Sequence, residues 1–175
     1  IVETVEEASK LLNAESPVKL PTRIHEGLEY VKLMVLKGET FYAFYSDEPM
    51  AETDNPFILT FMQEGWVFND VTGGPPKITL IVKKLDPENA PKITEDSVRE
   101  WNEELKRLHV DLNWTFTMIG DVPAYGCERV KPFTLSPPIT EVRFYINGLS
   151  YVVRTTLGLS LEEAVEIARS IIEQL

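Results

Sequence analysis

Glu141-Val-Arg-Phe-Tyr-Ile-Asn-Gly-Leu-Ser-Tyr-Val-Val-Arg154 is two β-rich runs set around Asn147-Gly148. A type I′ turn needs positive φ at both central residues, so Asn-Gly between such runs predicts a tight hairpin. Pairing outward from the turn sets Ile146 opposite Leu149, Phe144 opposite Tyr151 and Val142 opposite Val153, which makes one face of the ribbon continuously apolar. On the other face Tyr145 meets Ser150, Arg143 meets Val152 and Glu141 meets Arg154. That face reads as solvated, with Glu141 and Arg154 as an exposed pair contributing ~0.2–1 kcal/mol. Four residues on, Leu159-Ser-Leu-Glu-Glu-Ala-Val-Glu-Ile-Ala-Arg-Ser-Ile-Ile172 opens with a capping box, Ser160 with Glu163, and carries an apolar stripe at helical spacing. The stripe needs an apolar surface and the hairpin offers one. The expectation is an α+β fold: an antiparallel sheet with helices packed on one face, the last helix lying over the last hairpin.

Upstream, Thr4-Val-Glu-Glu7 repeats the same start signal for an N-terminal helix, and Pro17 and Pro21 hold residues 16–27 extended. Strands are expected over 28–36, 41–45, 57–62, 66–68, 77–85, 113–119 and 125–131, and a helix over 95–108 capped by Thr94 and anchored by Trp101. At 175 residues the chain is read as one domain over 1–175. Two stretches, 28–108 and 113–175, each read as four or more strands closed by a helix, the pattern of a pseudo-repeat.

Composition excludes several function classes. The net charge of −11 and the scattered basic residues argue against nucleic acid and anionic lipid as partners. No apolar run is long enough to span a bilayer. Plentiful glutamate beside scarce glutamine and cysteine is the bias of a protein from a hot environment. The chain starts at Ile1 in a helix-like segment, which suggests that an upstream signal or membrane tether preceded it.

Candidate chemistry is thin. Cys127 is the only cysteine and falls in an expected strand, where a thiol is usually buried and inert. His109 sits at a helix C-terminus and His25 in a loop, so neither makes a zinc set. Asp47, Glu48, Glu52 and Asp54 share a loop without EF-hand spacing. No metal, no cofactor and no catalytic residue is therefore assigned. Glu64, Asp70 and Asp121 stand at expected turns, and a pair of carboxylates drawn from such positions is the basis of the alternative reading, a small hydrolase. The aromatics of the first half are the other candidates. Tyr42, Phe44, Phe57, Phe61, Trp66 and Phe68 are expected to line an apolar groove on the sheet for a lipid, an acyl chain or a peptide. A third reading is an interaction domain that uses a free sheet edge.

Val18-Lys-Leu-Pro-Thr…Gly27, Tyr42-Ala-Phe-Tyr-Ser46, Asn147-Gly-Leu-Ser-Tyr151 and Ser160-Leu-Glu-Glu-Ala…Ile167-Ala-Arg-Ser170 together resemble an extracytoplasmic domain of unknown function. That domain is seen in lipoprotein-sorting-like, sporulation and anti-sigma-factor-like proteins. The resemblance covers both ends of the chain and implies an envelope domain tethered upstream to a membrane, a binding or sensing module with no catalytic residue to carry over.

Overall fold

The computed structural model describes residues 1–129 and 137–175. In chain order these form α1 (Val5–Leu11), β1 (Tyr30–Leu36), β2 (Thr40–Ser46), α2 (Pro56–Gln63), β3 (Ile78–Lys84), α3 (Glu95–Arg107), β4 (Thr115–Ile119), β5 (Val122–Arg129), β6 (Ile139–Ile146), β7 (Leu149–Thr155) and α4 (Leu161–Ile172). The seven strands make one sheet in the order β1-β2-β3-β7-β6-β5-β4, antiparallel throughout.

Asn147 and Gly148 both take positive φ, 53° and 77°, and the β6–β7 register is the one the turn dictates, from Ile146↔Leu149 to Glu141↔Arg154. Its apolar face continues across the sheet. Phe41, Val82, Tyr151, Phe144 and Ala124 form one row and Ala43, Leu80, Val153, Val142 and Gly126 the next, all buried. Phe144 and Tyr151 stack with ring centres 5.0 Å apart. α1 and α4 lie over this face and supply Ala8, Leu12, Ala164, Ile167, Ala168 and Ile171 to the main core. Ser160 caps α4 as expected: its hydroxyl accepts from Glu163 N–H at 3.2 Å while Glu163 accepts from Ser160 N–H at 2.7 Å. The proline-bearing segment 16–27 runs along α4, where Gln174 donates to the Leu20 carbonyl and Arg23 pairs with Glu173.

The expected placement of helices over one face holds for α1 and α4; α2 and α3 lie on the other. Leu59 of α2 packs with Met34, Tyr42, Phe44, Met50 and Ala51 into a second core, and Trp101 of α3 meets Tyr125 of β5 edge-on at 5.1 Å, the anchor expected of it. The stretches 28–108 and 113–175 supply three and four adjacent strands to the sheet, and their closing helices, α3 and α4, sit on opposite faces.

Residues 57–62, expected as a strand, are the body of α2, and 66–68, also expected as a strand, have no regular structure. The helix is nucleated by Asn55, whose side chain accepts from Phe57 N–H at 3.0 Å, and by Pro56 at the first helical position. Burial then follows the helical period: Leu59 and Gln63 face the sheet, Phe57 and Phe61 face out. The end of the expected strand 125–131 falls partly outside the described residues.

Candidate functional site

Of the six aromatics expected to share a groove, the structure brings together two separate groups. Tyr42 and Phe44 are neighbours on β2, stacked at 5.8 Å and buried beneath α2. Phe57 and Phe61 stand one turn apart on the outer side of α2, each about half exposed at 48% and 47%. Trp66, 66% exposed, lies against Phe61 with ring centres 6.3 Å apart, and Val67 beside it is 84% exposed. Phe68 is partly buried. The arrangement is thus a convex aromatic ridge on α2 and the turn that follows it, with Tyr42 and Phe44 as its foundation rather than its lining. Isolated exposed apolar residues are ordinary, but Phe, Phe, Trp and Val grouped on one helix and its exit form a contiguous patch of the kind that marks a contact surface. In the chain the ridge is flanked by acidic residues, Asp54 before it and Asp70 after it, both exposed.

α2 is held by its polar end as well as by Leu59. Gln63 is buried and its side-chain oxygen accepts from the Thr79 hydroxyl at 2.7 Å. Glu64, at the helix C-cap, pairs with Arg129 of β5 and with Arg154 of β7, the latter at 3.3 Å. These contacts lead into a feature that sequence reading missed. The row Phe44, Thr79, Arg154, Glu141, Cys127 crosses five strands on the face expected to be wet. Here the Glu141 side chain is only 2% exposed, and it accepts from Arg154 Nε at 2.6 Å and from Arg143 Nε at 2.8 Å. Arg143 in turn lies over the Trp114 ring at 5.2 Å. The register already set Glu141 opposite Arg154; what no local pattern showed was that the pair would be buried, with Glu64 at the end of α2 reaching the same Arg154.

Burial pushes the Glu141 carboxyl up, but the charges of Arg143 and Arg154 and the hydrogen bonds they donate outweigh it, and its pKa lies below the usual carboxylate range. Burial, with the Glu141 charge adding to it, pushes the Cys127 thiol up to about 12, so at neutral pH it is protonated and a poor nucleophile. Glu64 and Glu141 do meet on one guanidinium, that of Arg154. Acid catalysis by a carboxyl needs a raised pKa, the opposite of what Glu141 has. Asp70 and Asp121 are exposed at turns. His25 is exposed, and His109, at φ 57°, closes α3 by donating its N–H to the Lys106 carbonyl at 3.0 Å. Among the described residues no group of three or more His, Cys, Asp or Glu is placed to hold a metal ion, and no helix is long and apolar enough to cross a membrane.

The geometry therefore offers a rigid, ion-paired support and an aromatic ridge bolted to it. Comparison with protein-family models finds no match for this chain, and comparison with curated proteins finds none either.

Proposed function

We propose that this chain is a non-catalytic binding domain whose contact surface is the aromatic ridge of α2, and that its occupant is a protein or peptide segment presenting apolar side chains within a basic rim. The observation that carries the reading is the exposure of Phe57, Phe61, Trp66 and Val67 together, on a helix whose other side is fixed by Leu59, Gln63 and Glu64. Exposed aromatics on a rigid support bind with little loss of side-chain freedom, and Trp is prominent among residues that dominate interface energies. Charge selects the partner: a chain of net charge −11, with Asp54 and Asp70 flanking the ridge, attracts basic segments and repels anionic lipid. The location belongs to the same proposal: the resemblance of the chain's two ends supports an extracytoplasmic domain that is itself tethered to a membrane.

The test is a titration followed by tryptophan emission, using three probes in parallel: an amphipathic leucine–lysine peptide, palmitate, and zwitterionic phosphatidylcholine vesicles. The peptide shifts the emission to shorter wavelength, and the double substitution Phe61→Ser with Trp66→Ser, read by titration calorimetry because it lacks the Trp66 reporter, weakens its binding by about thirtyfold, the loss of roughly 2 kcal/mol expected of an interface anchor. A response to palmitate or vesicles but not to the peptide overturns the assignment of a protein partner. Equal peptide affinity in the double variant overturns the site.

A further inference from the structure

The sheet has two edges, and they are finished differently. The outer edge of β1 carries a bridge from Val2 to Leu33, and Lys32 on that strand donates to the carbonyls of Ala51 and Thr53 at 2.9 and 3.0 Å. β4, at the other edge, is Thr115-Phe-Thr-Met-Ile119: no charge, no proline and an unbroken one-to-one register with β5, hence no bulge. Proteins ordinarily blunt an open edge with one of those devices. The hairpin loop Gly120-Asp121 makes the flanking pair Ile119↔Val122 a hydrogen-bonded one, so Thr117 also bonds inward, and Phe116 and Met118 turn their N–H and C=O groups outward. No described strand pairs with them.

The space beside this edge is open on both faces. Towards α4 lies a groove of about 960 Å³ whose helix wall carries Leu161, Val165, Glu162, Glu163, Glu166 and Arg169. Towards α3 lies another of about 500 Å³, walled by Val98, Trp114 and Phe116 among others. The α3 groove is kept in shape by Asn102, whose side chain both donates to and accepts from the Trp114 backbone at 2.7 Å. A strand added at an edge sends alternate side chains to opposite faces. Here one set would enter the α4 groove, where three carboxylates face one guanidinium already engaged by Glu166 at 3.0 Å. The other set would enter the α3 groove, whose lining charges, Glu95, Glu103, Arg99 and Lys106, balance.

We infer that the β4 edge is a second binding site, which takes an extended peptide of alternating basic and apolar residues as an eighth strand, basic side chains towards α4 and apolar ones towards α3. This site is independent of the α2 ridge, which belongs to the other end of the sheet. Backbone pairing supplies affinity without regard to sequence, and the two unlike grooves supply the alternation rule and the strand's orientation.

The experiment uses synthetic heptapeptides on the whole chain: alternating lysine and valine, alternating glutamate and valine, and the lysine–valine peptide N-methylated at alternate backbone positions. Binding is read by fluorescence anisotropy, with amide exchange at Phe116 and Met118 as the local reporter. The lysine–valine peptide binds, slows exchange at both amides, and loses about tenfold in affinity with Met118→Pro, which deletes an outward donor on an exposed edge position where proline is tolerated. The paired change Glu162→Gln and Glu166→Gln, which spares the Glu163 cap, costs about fivefold and flattens the salt dependence. Thermal melts of both variants establish that they fold; if Met118→Pro does not, the N-methylated peptide carries the test of backbone pairing. The inference is overturned if the lysine–valine peptide fails to bind, if it binds no better than its glutamate or N-methylated counterparts, or if its binding survives Met118→Pro and falls with Trp66→Ala, which would move it to the α2 ridge.

Discussion

Glu141 shows how far a single residue's role depends on the company the rest of the chain brings to it. Register alone put it opposite Arg154, and the pair is there. As a surface pair it would contribute little; buried, it becomes an obligation, since removing the carboxylate leaves two guanidinium groups with less than they need. Glu141→Gln is expected to cost about 3–5 kcal/mol at pH 7 in urea unfolding. The pH dependence has a definite sign. The folded-state pKa is depressed below the ordinary value of 4.5, so the unfolded chain takes up the proton first. The contribution is therefore complete above about pH 4.5 and is lost as pH falls through the folded value. The gap between wild type and Glu141→Gln narrows below pH 4.5 and is constant above pH 6; a gap that widens in acid would contradict the assignment. The burial was illegible in the sequence because the groups that join the pair from outside the hairpin, Glu64 on Arg154 and Trp114 against Arg143, come from 77 and 27 residues before Glu141.

Among the elements, those with strong local signals were read correctly, whereas 57–62 and 66–68, both expected as strands, were not. The Asn147-Gly148 turn, the Ser160 and Thr94 caps and the α4 stripe each rest on residues within a few positions of one another, so the pattern is complete in a short window. Phe57-Ile-Leu-Thr-Phe-Met62 is rich in aromatic and β-branched residues, which favours strand. Asn55-Pro56 and the spacing of Leu59 and Gln63 favour helix, and the tertiary contact of Leu59 with Phe44 and Tyr42 decides it. The same misreading is why the six candidate aromatics were expected on one surface: alternation puts Phe57 and Phe61 with Leu59, whereas a helix parts them. α4 and β5 approach so closely that a methyl group at Gly126 would lie 2.5 Å from Leu161 Cδ1 and 2.7 Å from the Glu141 carbonyl oxygen. One of those atoms is backbone and cannot step aside. Gly126→Ala is accordingly expected to lower stability by about 1–3 kcal/mol, by overpacking rather than by lost flexibility. Pairing it with Leu161→Ala, which relieves only the side-chain clash, should recover part of that loss; full recovery would show that the carbonyl contact is harmless.

At the scale of the whole molecule, one antiparallel sheet carries a large apolar core under α1 and α4 on one face and, on the other, a smaller core under α2, a buried ionic row and α3 against Tyr125. Folding has used Tyr42 and Phe44 and left Phe57, Phe61 and Trp66 at the surface, and that division is the ground for reading the chain as a binding domain. The direct measurement is urea unfolding of Phe44→Ala beside Trp66→Ala. The account predicts a loss of about 3–5 kcal/mol for Phe44→Ala, a fully buried aromatic beneath α2, and less than about 1 kcal/mol for Trp66→Ala, which the fold does not need. Comparable losses for the two would contradict it, because Trp66 would then be part of the structure rather than free to meet a partner.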